Sequence, residues 1–267
     1  MPELPEVETI RRDLQSLVVG QTLRNLQVHE RVHLLKNATE AELKDRLIGR
    51  SLASVDRRGK YLLFVFGPET MALHLRMSGR LLTTPANHTK LTLAFDRTTL
   101  YFDDARRFGM LFIGNTDDLD GFEPLKKLGL EPFSDAYTLD AFRTLTTSSQ
   151  EIKRLLLDQH KVAGLGNIYA CEALFAARVH PERPARSLEG AEVEALYTAI
   201  PSVLERAIDA GGTSLRSYET PAGELGHFQD EFAVYGREGA PCAQCGSLIE
   251  RIGQGGRSSF LCPGCQR

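Results

Sequence analysis

The chain has 267 residues, of which 42% are hydrophobic and 25% are charged, and its formal net charge is −3. These values are typical of a globular protein with a hydrophobic core, and the sequence contains no run of 18 apolar residues that could form a transmembrane helix. The acidic start of the chain lacks the positive charge of a signal peptide, and an odd number of cysteines, five, argues against a disulfide framework. We therefore expect a cytoplasmic protein that does not insert into membranes.

The first half of the chain is predicted to be rich in β-structure. Apolar residues recur at spacings of three and four from Glu3 to Val18, which predicts a helix that Gly20 ends. A shorter helix is predicted at Ala41–Leu47. Apolar runs between turn residues predict strands at Leu23–Val28, Ser51–Arg57, Tyr61–Phe66, Thr70–Leu75, Leu91–Phe95, Thr99–Phe102 and Met110–Ile113. Strands this closely spaced favour an antiparallel sandwich or a barrel-like pair of sheets.

The second half is predicted to be helical and to end in a small tail. Apolar residues have helical spacing at Thr138–Leu145, Glu151–Leu157, Ile168–Ala176 and Ala191–Ala210. The last residues, roughly 35 of them, are rich in Gly, Cys and Arg and include too few apolar residues to form a core unaided. The layout is therefore a β-rich half, a helical half and a tail that needs another source of stability.

Charge is unevenly spread along the chain. Basic residues outnumber acidic residues from Ser51 to Leu111, and the reverse holds from Glu182 to Phe232. An acidic total argues weakly against a nucleic-acid partner. The basic segment leaves room for such a partner, and a solvated surface of mixed charge is the alternative.

Four cysteines in the tail predict a metal site. Cys242 and Cys245 form one Cys-x-x-Cys pair, and Cys262 and Cys265 form a second pair after sixteen intervening residues. Two thiolates on one tight turn can occupy adjacent corners of a tetrahedron, so two such turns close a four-sulfur site for one structural zinc ion. A redox pair is the alternative, but the spacing and the lack of a local core favour metal. Cys171, among apolar helical positions, is expected to lie in the core.

The first residues of the chain combine proline with acids. A small second residue normally permits removal of Met1, which would leave Pro2 with a secondary amine at the N-terminus. An α-amino group has a pKa of about 7.7–8.0, so a substantial fraction is neutral and nucleophilic near pH 7. Attack of this amine on a carbonyl gives an iminium ion, beside which Glu3 and Glu6 could transfer protons. Proline and acids also begin ordinary helices, and taken alone these residues favour that interpretation.

Several longer motifs follow one another along the chain. They are the start Pro2–Glu8, the basic turn Arg57–Tyr61, the segments His74–Gly79 and Asp104–Gly109, the stretch Asp158–Glu172 with its Gly164-Leu-Gly-Asn167 turn, and Val234–Arg237 ahead of the four cysteines. In residues and in order these motifs resemble the family of formamidopyrimidine-DNA glycosylases, bacterial enzymes of base-excision repair. The resemblance covers the whole chain. It implies an α+β protein in which an N-terminal β-sandwich carries the N-terminal helix, followed by a helical domain with a helix–two-turn–helix and by a β-hairpin zinc finger.

The resemblance also implies a domain organisation and a partner. Residues 1–130 are expected to form the catalytic β-sandwich domain, residues 131–232 the helical DNA-binding domain and residues 233–267 the four-cysteine zinc finger. DNA is expected to lie in the cleft between the sandwich and the helices. The implied partner is double-stranded DNA that contains oxidised purines or abasic sites, and the protein is expected to act as a monomer.

The implied activity is that of a bifunctional glycosylase and abasic-site lyase. Such an enzyme removes 8-oxoguanine and formamidopyrimidines and then nicks the abasic site by β,δ-elimination through a Schiff base. Pro2 is the implied nucleophile at C1′, Glu3 is the acid–base residue and Lys60 holds the phosphate and lesion side. The candidates for accessory catalytic roles are Glu6, Lys153 and Glu172.

Residues that bind DNA are implied as well. The family's contact positions correspond to His74, Met77, Arg106, Phe108, Asn167, Tyr235 and Arg257. When a nucleotide leaves the stack, an apolar side chain must fill the gap, an aromatic ring must wedge the opposite step and an arginine must satisfy the orphaned base. Met77, Phe108 and Arg106 match these three roles. In an unknown protein Met77 and Phe108 would be assigned to a β-core, but the polar residues and the glycine beside Met77 indicate an exposed loop.

Two alternatives stay open from the sequence. Endonuclease VIII-type enzymes, which remove oxidised pyrimidines, have glycine at the fourth position and a different triad, so Leu4 together with Met77, Arg106 and Phe108 favours the purine branch. A zinc-finger protein that binds DNA without catalysis would have lost the amine, whereas Pro2, Glu3 and Lys60 are all present. The segment Ser217–Leu225 matches the family's lid over the lesion base, but its two glutamates and its proline leave its base contacts unassigned.

Overall fold

The computed structural model describes residues 2–29, 34–118, 122–123, 125–214, 221, 223 and 225–267. The chain divides into two compact units, of which the first contains residues 1–127 and 210–227 and the second contains residues 128–209 and 228–267. The segment 210–227 therefore belongs with the first half of the chain, although it follows the helices. Within the described residues, no helix combines the length and the apolar character needed to cross a bilayer.

The first unit is a β-sandwich with attached helices. Helix α1 spans Leu4–Leu17 and helix α2 spans Glu40–Leu47. The described strands are β1 (Leu23–Val28), β2 (Ser54–Arg58), β3 (Tyr61–Phe66), β4 (Glu69–His74), β5 (Arg80–Leu82), β6 (Thr89–Phe95), β7 (Thr99–Asp103) and β8 (Met110–Asn115). These strands form two antiparallel four-stranded sheets, in the orders β1-β6-β7-β5 and β2-β3-β4-β8.

Apolar periodicity explains how this unit packs. Buried side chains of both sheets and of α1 form one continuous core cluster. Val7, Ile10 and Leu14 of α1 are at most 1% exposed, as expected for positions that share one helix face. The predicted sandwich and its N-terminal helix are thus confirmed. Strand β5 was not predicted, because three residues are too few to show a period.

The second unit contains helices and a hairpin. The helices are α3 (Leu139–Thr146), α4 (Ile152–Leu157), α5 (Asn167–Ala176) and α6 (Gly190–Asp209), and the antiparallel hairpin is formed by β9 (Glu250–Gln254) and β10 (Arg257–Leu261). All four helices agree with the predicted segments to within a few residues. Helix α5 is buried from Ile168 to Phe175, and Glu172 is its one charged residue. A helix that is apolar on every side is typical of the centre of a helical unit.

Candidate functional site

The start of α1 is fixed by a buried carboxylate. Glu6 is 2% exposed, and its Oε2 accepts a hydrogen bond from the Glu3 backbone N–H at 2.7 Å. Its Oε1 accepts a second hydrogen bond, from the Thr213 backbone N–H at 2.9 Å. Gly212 lies so close that an added Cβ would come within 3.0 Å of the Glu6 side chain, and its φ of +80° also suits glycine. Glu6 therefore ties the backbone beside the half-buried Pro2 to the distant segment 210–214.

The turn that carries Lys60 is tied to the same helix. Arg57 Nε donates to Glu8 Oε2 at 3.1 Å, and Arg57 Nη1 donates to the Gly59 carbonyl at 3.0 Å. Burial opposes the charge of Glu8, but the guanidinium groups of Arg11 and Arg57 outweigh it and hold the pKa of Glu8 below its usual value. Because Gly59 directly precedes Lys60, the ion pair fixes the position of the lysine backbone relative to α1. Lys60 itself is buried.

His74 ends strand β4 as a neutral side chain. It pairs with Tyr61 on β3, and the two rings meet edge to face with their centroids 4.6 Å apart. Burial, together with the positive charges of Arg76 and Lys60, lowers the pKa of His74 to about 3. The Arg76 backbone N–H donates to His74 Nδ1 at 2.9 Å. The neutral ring therefore carries its hydrogen on Nε2, where it can act as a hydrogen-bond donor.

Two loops of the sandwich present large side chains to solvent. Met77 follows β4 and is 45% exposed, and Phe108 precedes β8 and is 48% exposed. The Arg106 guanidinium lies over the Phe108 ring, 4.7 Å from its centroid. Both apolar side chains therefore lie outside the β-core, as the polar neighbours of Met77 indicated. An apolar group and a cation-stacked ring at the surface can enter a gap in a base stack.

In the second unit, polar side chains gather at the start of β10. Asn167, the first residue of α5, donates from Nδ2 to the Ser258 carbonyl at 2.9 Å. Lys153 on α4 is 1% exposed and donates to the same carbonyl at 3.2 Å and to Ser259 Oγ at 2.5 Å. Two side chains from the helices thus fix the backbone directly after Arg257, which is exposed. Asn167 Oδ1 is buried and accepts no hydrogen bond in the described part of the chain.

Glu172 connects α5 to the segment that leads to the tail. Its carboxylate accepts hydrogen bonds from the backbone N–H groups of Ala233, Val234 and Tyr235, at 2.8–3.0 Å. Burial raises the pKa of Glu172, although these three donors oppose the shift. The contacts fix Tyr235, whose ring meets the Phe260 ring of β10 at 5.0 Å between centroids. Glu172 thus supports the position of a predicted DNA contact.

The four tail cysteines fit a zinc ion. Their Sγ atoms all lie within 4.8 Å of one another. The Cys242–Cys265 sulfur pair is 3.9 Å apart and the Cys245–Cys262 pair is 3.4 Å apart. A tetrahedral site with Zn–S bonds of about 2.3 Å requires sulfur–sulfur distances of about 3.8 Å. The donor set leaves no open position for a substrate, which is typical of a structural site.

Part of this arrangement was not predicted from the sequence. Ser78 and Asp104 lie in the motifs His74–Gly79 and Asp104–Gly109, yet neither was predicted as a site residue. Ser78 Oγ donates to Asp104 across 26 positions of the chain, and no spacing rule links a serine and an aspartate so far apart. The predicted lid Ser217–Leu225 lies for the most part outside the described residues, as does Met1.

Three protein families match successive parts of the chain. The formamidopyrimidine-DNA glycosylase N-terminal domain matches residues 1–111, the formamidopyrimidine-DNA glycosylase H2TH domain matches residues 128–219, and the zinc finger found in FPG and IleRS matches residues 239–267. These matches agree in order with the sandwich, the helices and the tail. They support a four-cysteine zinc finger that holds one structural Zn²⁺.

Individual relatives match the whole chain. A formamidopyrimidine-DNA glycosylase of Thermus thermophilus is 48% identical, over 100% of this chain and 98% of the relative. The complex of a Lactococcus lactis FPG mutant with Fapy-dG containing DNA is 37% identical, covers 100% of both chains and has a TM-score of 0.92. The Lactococcus lactis Fpg with abasic-site DNA is 37% identical, with 99% coverage of both chains and a TM-score of 0.91. MutM in complex with carbocyclic 8-oxo-G containing DNA is 38% identical, with 100% coverage of both chains and a TM-score of 0.90. Identity at this level along the full length, on the same α+β fold, establishes that the chain belongs to the formamidopyrimidine-DNA glycosylase family.

Proposed function

We propose that the chain is a bifunctional DNA glycosylase and abasic-site lyase that removes formamidopyrimidines and 8-oxoguanine from double-stranded DNA. The full-length relationship to proteins that bind Fapy-dG, 8-oxo-G and abasic DNA supports this function. The observation that carries it is the N-terminus, where Pro2 lies two residues before the start of α1, next to a backbone that Glu6 fixes through two hydrogen bonds. We place the protein in the cytoplasm and expect it to act as a monomer.

The first step is displacement of the damaged base. The Pro2 nitrogen forms a bond to C1′ while the bond from C1′ to the base breaks, and the base leaves with the electron pair of that bond. Opening of the sugar ring at O4′ then gives an iminium ion between Pro2 and C1′. The amine proton and one further proton end on O4′ and on the base. Glu3, which follows Pro2 and is 3% exposed, is the carboxyl group assigned to these transfers.

The iminium ion then drives strand cleavage. It withdraws electrons from the sugar, so that loss of a C2′ proton expels the 3′ phosphate, and loss of the C4′ proton expels the 5′ phosphate in a second elimination. Water hydrolyses the remaining iminium ion and returns Pro2. Each step moves a proton and an electron pair, so no oxidant or reductant is consumed. Preorganisation of the amine by Glu6 limits the conformations that Pro2 must lose on reaching C1′.

Phosphate binding is assigned to residues of both units. Lys60 supplies a charged donor, and His74 supplies a neutral donor through Nε2. Asn167, Tyr235 and Arg257 supply the remaining donors from the helices and the finger. Bonds of this kind fix the register of the DNA and carry no sequence information.

Lys153 and Glu172, the accessory candidates of the second unit, are assigned positioning roles. Lys153 holds the strand next to Arg257, and Glu172 holds the backbone at Tyr235. Neither side chain is assigned to a reacting atom. Their replacement is expected to weaken DNA binding while the trapping reaction at saturating DNA is retained.

The proposal is tested by trapping the covalent intermediate. Duplexes that contain 8-oxoguanine, a formamidopyrimidine, thymine glycol or an abasic site are incubated with the protein and sodium borohydride, and the crosslinked peptide is mapped by mass. We expect nicking of the two purine-lesion duplexes and of the abasic duplex, with the adduct on Pro2. An adduct on Lys60 would refute the mechanism, and faster cutting of thymine glycol would favour a pyrimidine-specific enzyme.

Variants separate the assigned roles. Pro2→Gly should retain some trapping through a primary amine, whereas retention of Met1 or an N-terminal tag should abolish it. Glu3→Gln should impair base removal more than cleavage at a pre-formed abasic site. Glu6→Gln presents one acceptor oxygen to two N–H donors and should slow both reactions. The matched control is Glu42→Gln, because Glu42 accepts the same kind of bond from the Thr39 N–H at the start of α2.

A further inference from the structure

The two loops with exposed apolar side chains share one buried carboxylate. Asp104 is 1% exposed, and its Oδ1 accepts hydrogen bonds from Ser78 Oγ at 2.5 Å and from the Arg106 N–H at 3.3 Å. Its Oδ2 accepts the Gly109 N–H at 2.7 Å. The Arg106 N–H also lies 3.2 Å from Ser78 Oγ. The Ser78 hydroxyl thus makes two contacts with the segment 104–109. Asp104 in turn accepts hydrogen bonds from two backbone N–H groups of its own segment.

The same two loops pack on one aromatic ring. A Cβ atom added to Gly79 would lie 2.7 Å from the Phe102 ring, and a Cβ added to Gly109 would lie 2.5 Å from it. Such contacts are far inside van der Waals distance, so both positions require glycine for the loops to close on the ring. Phe102 is 1% exposed and belongs to the core of the sandwich. Both loops therefore pack against the same buried side chain of the sandwich core.

The residues before Met77 and Phe108 share an unusual backbone conformation. Arg76 has a φ of +57° and Arg107 has a φ of +60°, in the left-handed region that residues other than glycine seldom adopt. Such conformations persist where the surroundings hold them. The Arg76 N–H is held by His74 Nδ1, and the Arg107 N–H by the Asp104 carbonyl at 3.3 Å.

We infer that Asp104 and Ser78 are positioning residues that join the segments 76–79 and 104–109 into one preorganised unit. Met77, Arg106 and Phe108 then enter the duplex together. This inference rests on the proposed function, because base extrusion is the step that opens the gap these side chains fill. A unit that is ordered before binding loses little conformational freedom when it enters the stack. Ser78 and Asp104 touch neither the lesion nor the reacting atoms in this role.

Ser78→Ala gives the cleanest test, because it removes the contacts between the loops and leaves Asp104 with its donors at Arg106 and Gly109. The measured quantity is the ratio of two single-turnover rates, for 8-oxoguanine excision from a duplex and for cleavage of a pre-formed abasic site in a single strand. The second reaction needs no base extrusion. We expect the ratio to fall about tenfold, the rate effect that corresponds to about 1.4 kcal/mol of preorganisation lost with one hydrogen bond. Ser78→Thr, which restores the hydroxyl at a half-buried position, should recover most of the ratio.

Ser54→Ala is the matched control. Ser54 Oγ donates to Asp56 Oδ2 at 2.9 Å on β2, so the variant removes a serine–aspartate bond of the same kind elsewhere in the sandwich. Its ratio should stay within twofold of that of the unmodified protein. If Ser78→Ala lowers both rates equally, or neither, the inference is wrong.

Two further measurements keep the inference separate from the proposed function. In the Ser78→Ala/Met77→Ala double variant, the ratio should fall little below that of Met77→Ala alone, since Ser78 acts through the loop; multiplication of the two effects would overturn the inference. In the absence of DNA, Ser78→Ala should accelerate amide hydrogen exchange in both segments. Acceleration confined to 76–79 would show that the loops are independent, whether or not the protein cuts DNA.

Discussion

His74 makes the stability of the first unit depend on pH in a way that can be calculated. Its folded-state pKa is about 3, because the ring is buried beside the charges of Arg76 and Lys60. In the unfolded chain the pKa returns to about 6.5. Between these values the unfolded state binds a proton that the folded state does not bind, so the free energy of unfolding falls as the pH decreases below 6.5. Above that pH the residue has no effect of this kind.

The magnitude follows from the shift. One pKa unit corresponds to about 1.4 kcal/mol, so the whole difference, which is reached below pH 3, amounts to about 5 kcal/mol. At pH 5.0 the free energy of unfolding is about 2 kcal/mol lower than at pH 7.5, because more than half of the total loss occurs at still lower pH. A loss of this size is a large fraction of the stability of an ordinary domain.

The test compares the unmodified protein with a variant that keeps the hydrogen bond from the Arg76 N–H and cannot titrate. His74→Asn places an acceptor oxygen near the position of Nδ1, within reach of the Arg76 N–H. Urea unfolding of both proteins at pH 7.5 and 5.0 should show that the unmodified protein loses about 2 kcal/mol more than the variant. Histidine NMR spectra should show an Nε2–H tautomer at both pH values. Equal pH dependence of the two proteins, or an imidazole that titrates near 6.5, would refute the reasoning.

Two further predictions concern the second unit. Removal of zinc, by a chelator or through Cys245→Ser, should disorder the hairpin that carries Arg257 and weaken DNA binding; metal analysis and a binding titration check this, and full affinity without bound metal would contradict it. Arg257→Ala should make the slope of log affinity against log salt less steep by about one unit, with little change in lesion preference. Arg143→Ala, which removes an exposed arginine paired with Glu194, is the control and should leave the slope unchanged.

Most of the fold could be predicted because the patterns that define helices and strands involve residues close together in the sequence. The bounds of β1 and β3 were predicted to the residue, since apolar runs between turn signals define strands directly. The return of residues 210–227 to the first unit depends on contacts such as that between Glu6 and Thr213, which are 207 positions apart. Periodicity carries no information about such contacts.

For the site, too, the sequence predicted some residues and not others. Pro2, Glu3, the basic turn and the four cysteines were predicted as site residues from the motifs. The motifs did not predict the groups that hold these residues, because a buried carboxylate such as Glu6 or Asp104 is defined by the backbone N–H groups that meet it in three dimensions. Glu6 was predicted as an accessory acid, and the structure adds that both of its oxygens accept backbone hydrogen bonds.

The acidic net charge can be reconciled with DNA binding through the chemistry of the proposed contacts. Of the five residues assigned to phosphate, Lys60 and Arg257 are cationic, whereas Asn167, Tyr235 and the neutral His74 donate hydrogen bonds without carrying charge. Counterion release scales with the phosphates that Lys and Arg neutralise, so these five residues account for a salt slope of only about −2. His74→Gln, which retains a donor near Nε2, should therefore leave the slope unchanged, while Arg257→Ala reduces it. A His74→Gln slope that falls by a full unit would mean that the histidine binds DNA as a cation, and the neutral contact derived from its burial would be wrong.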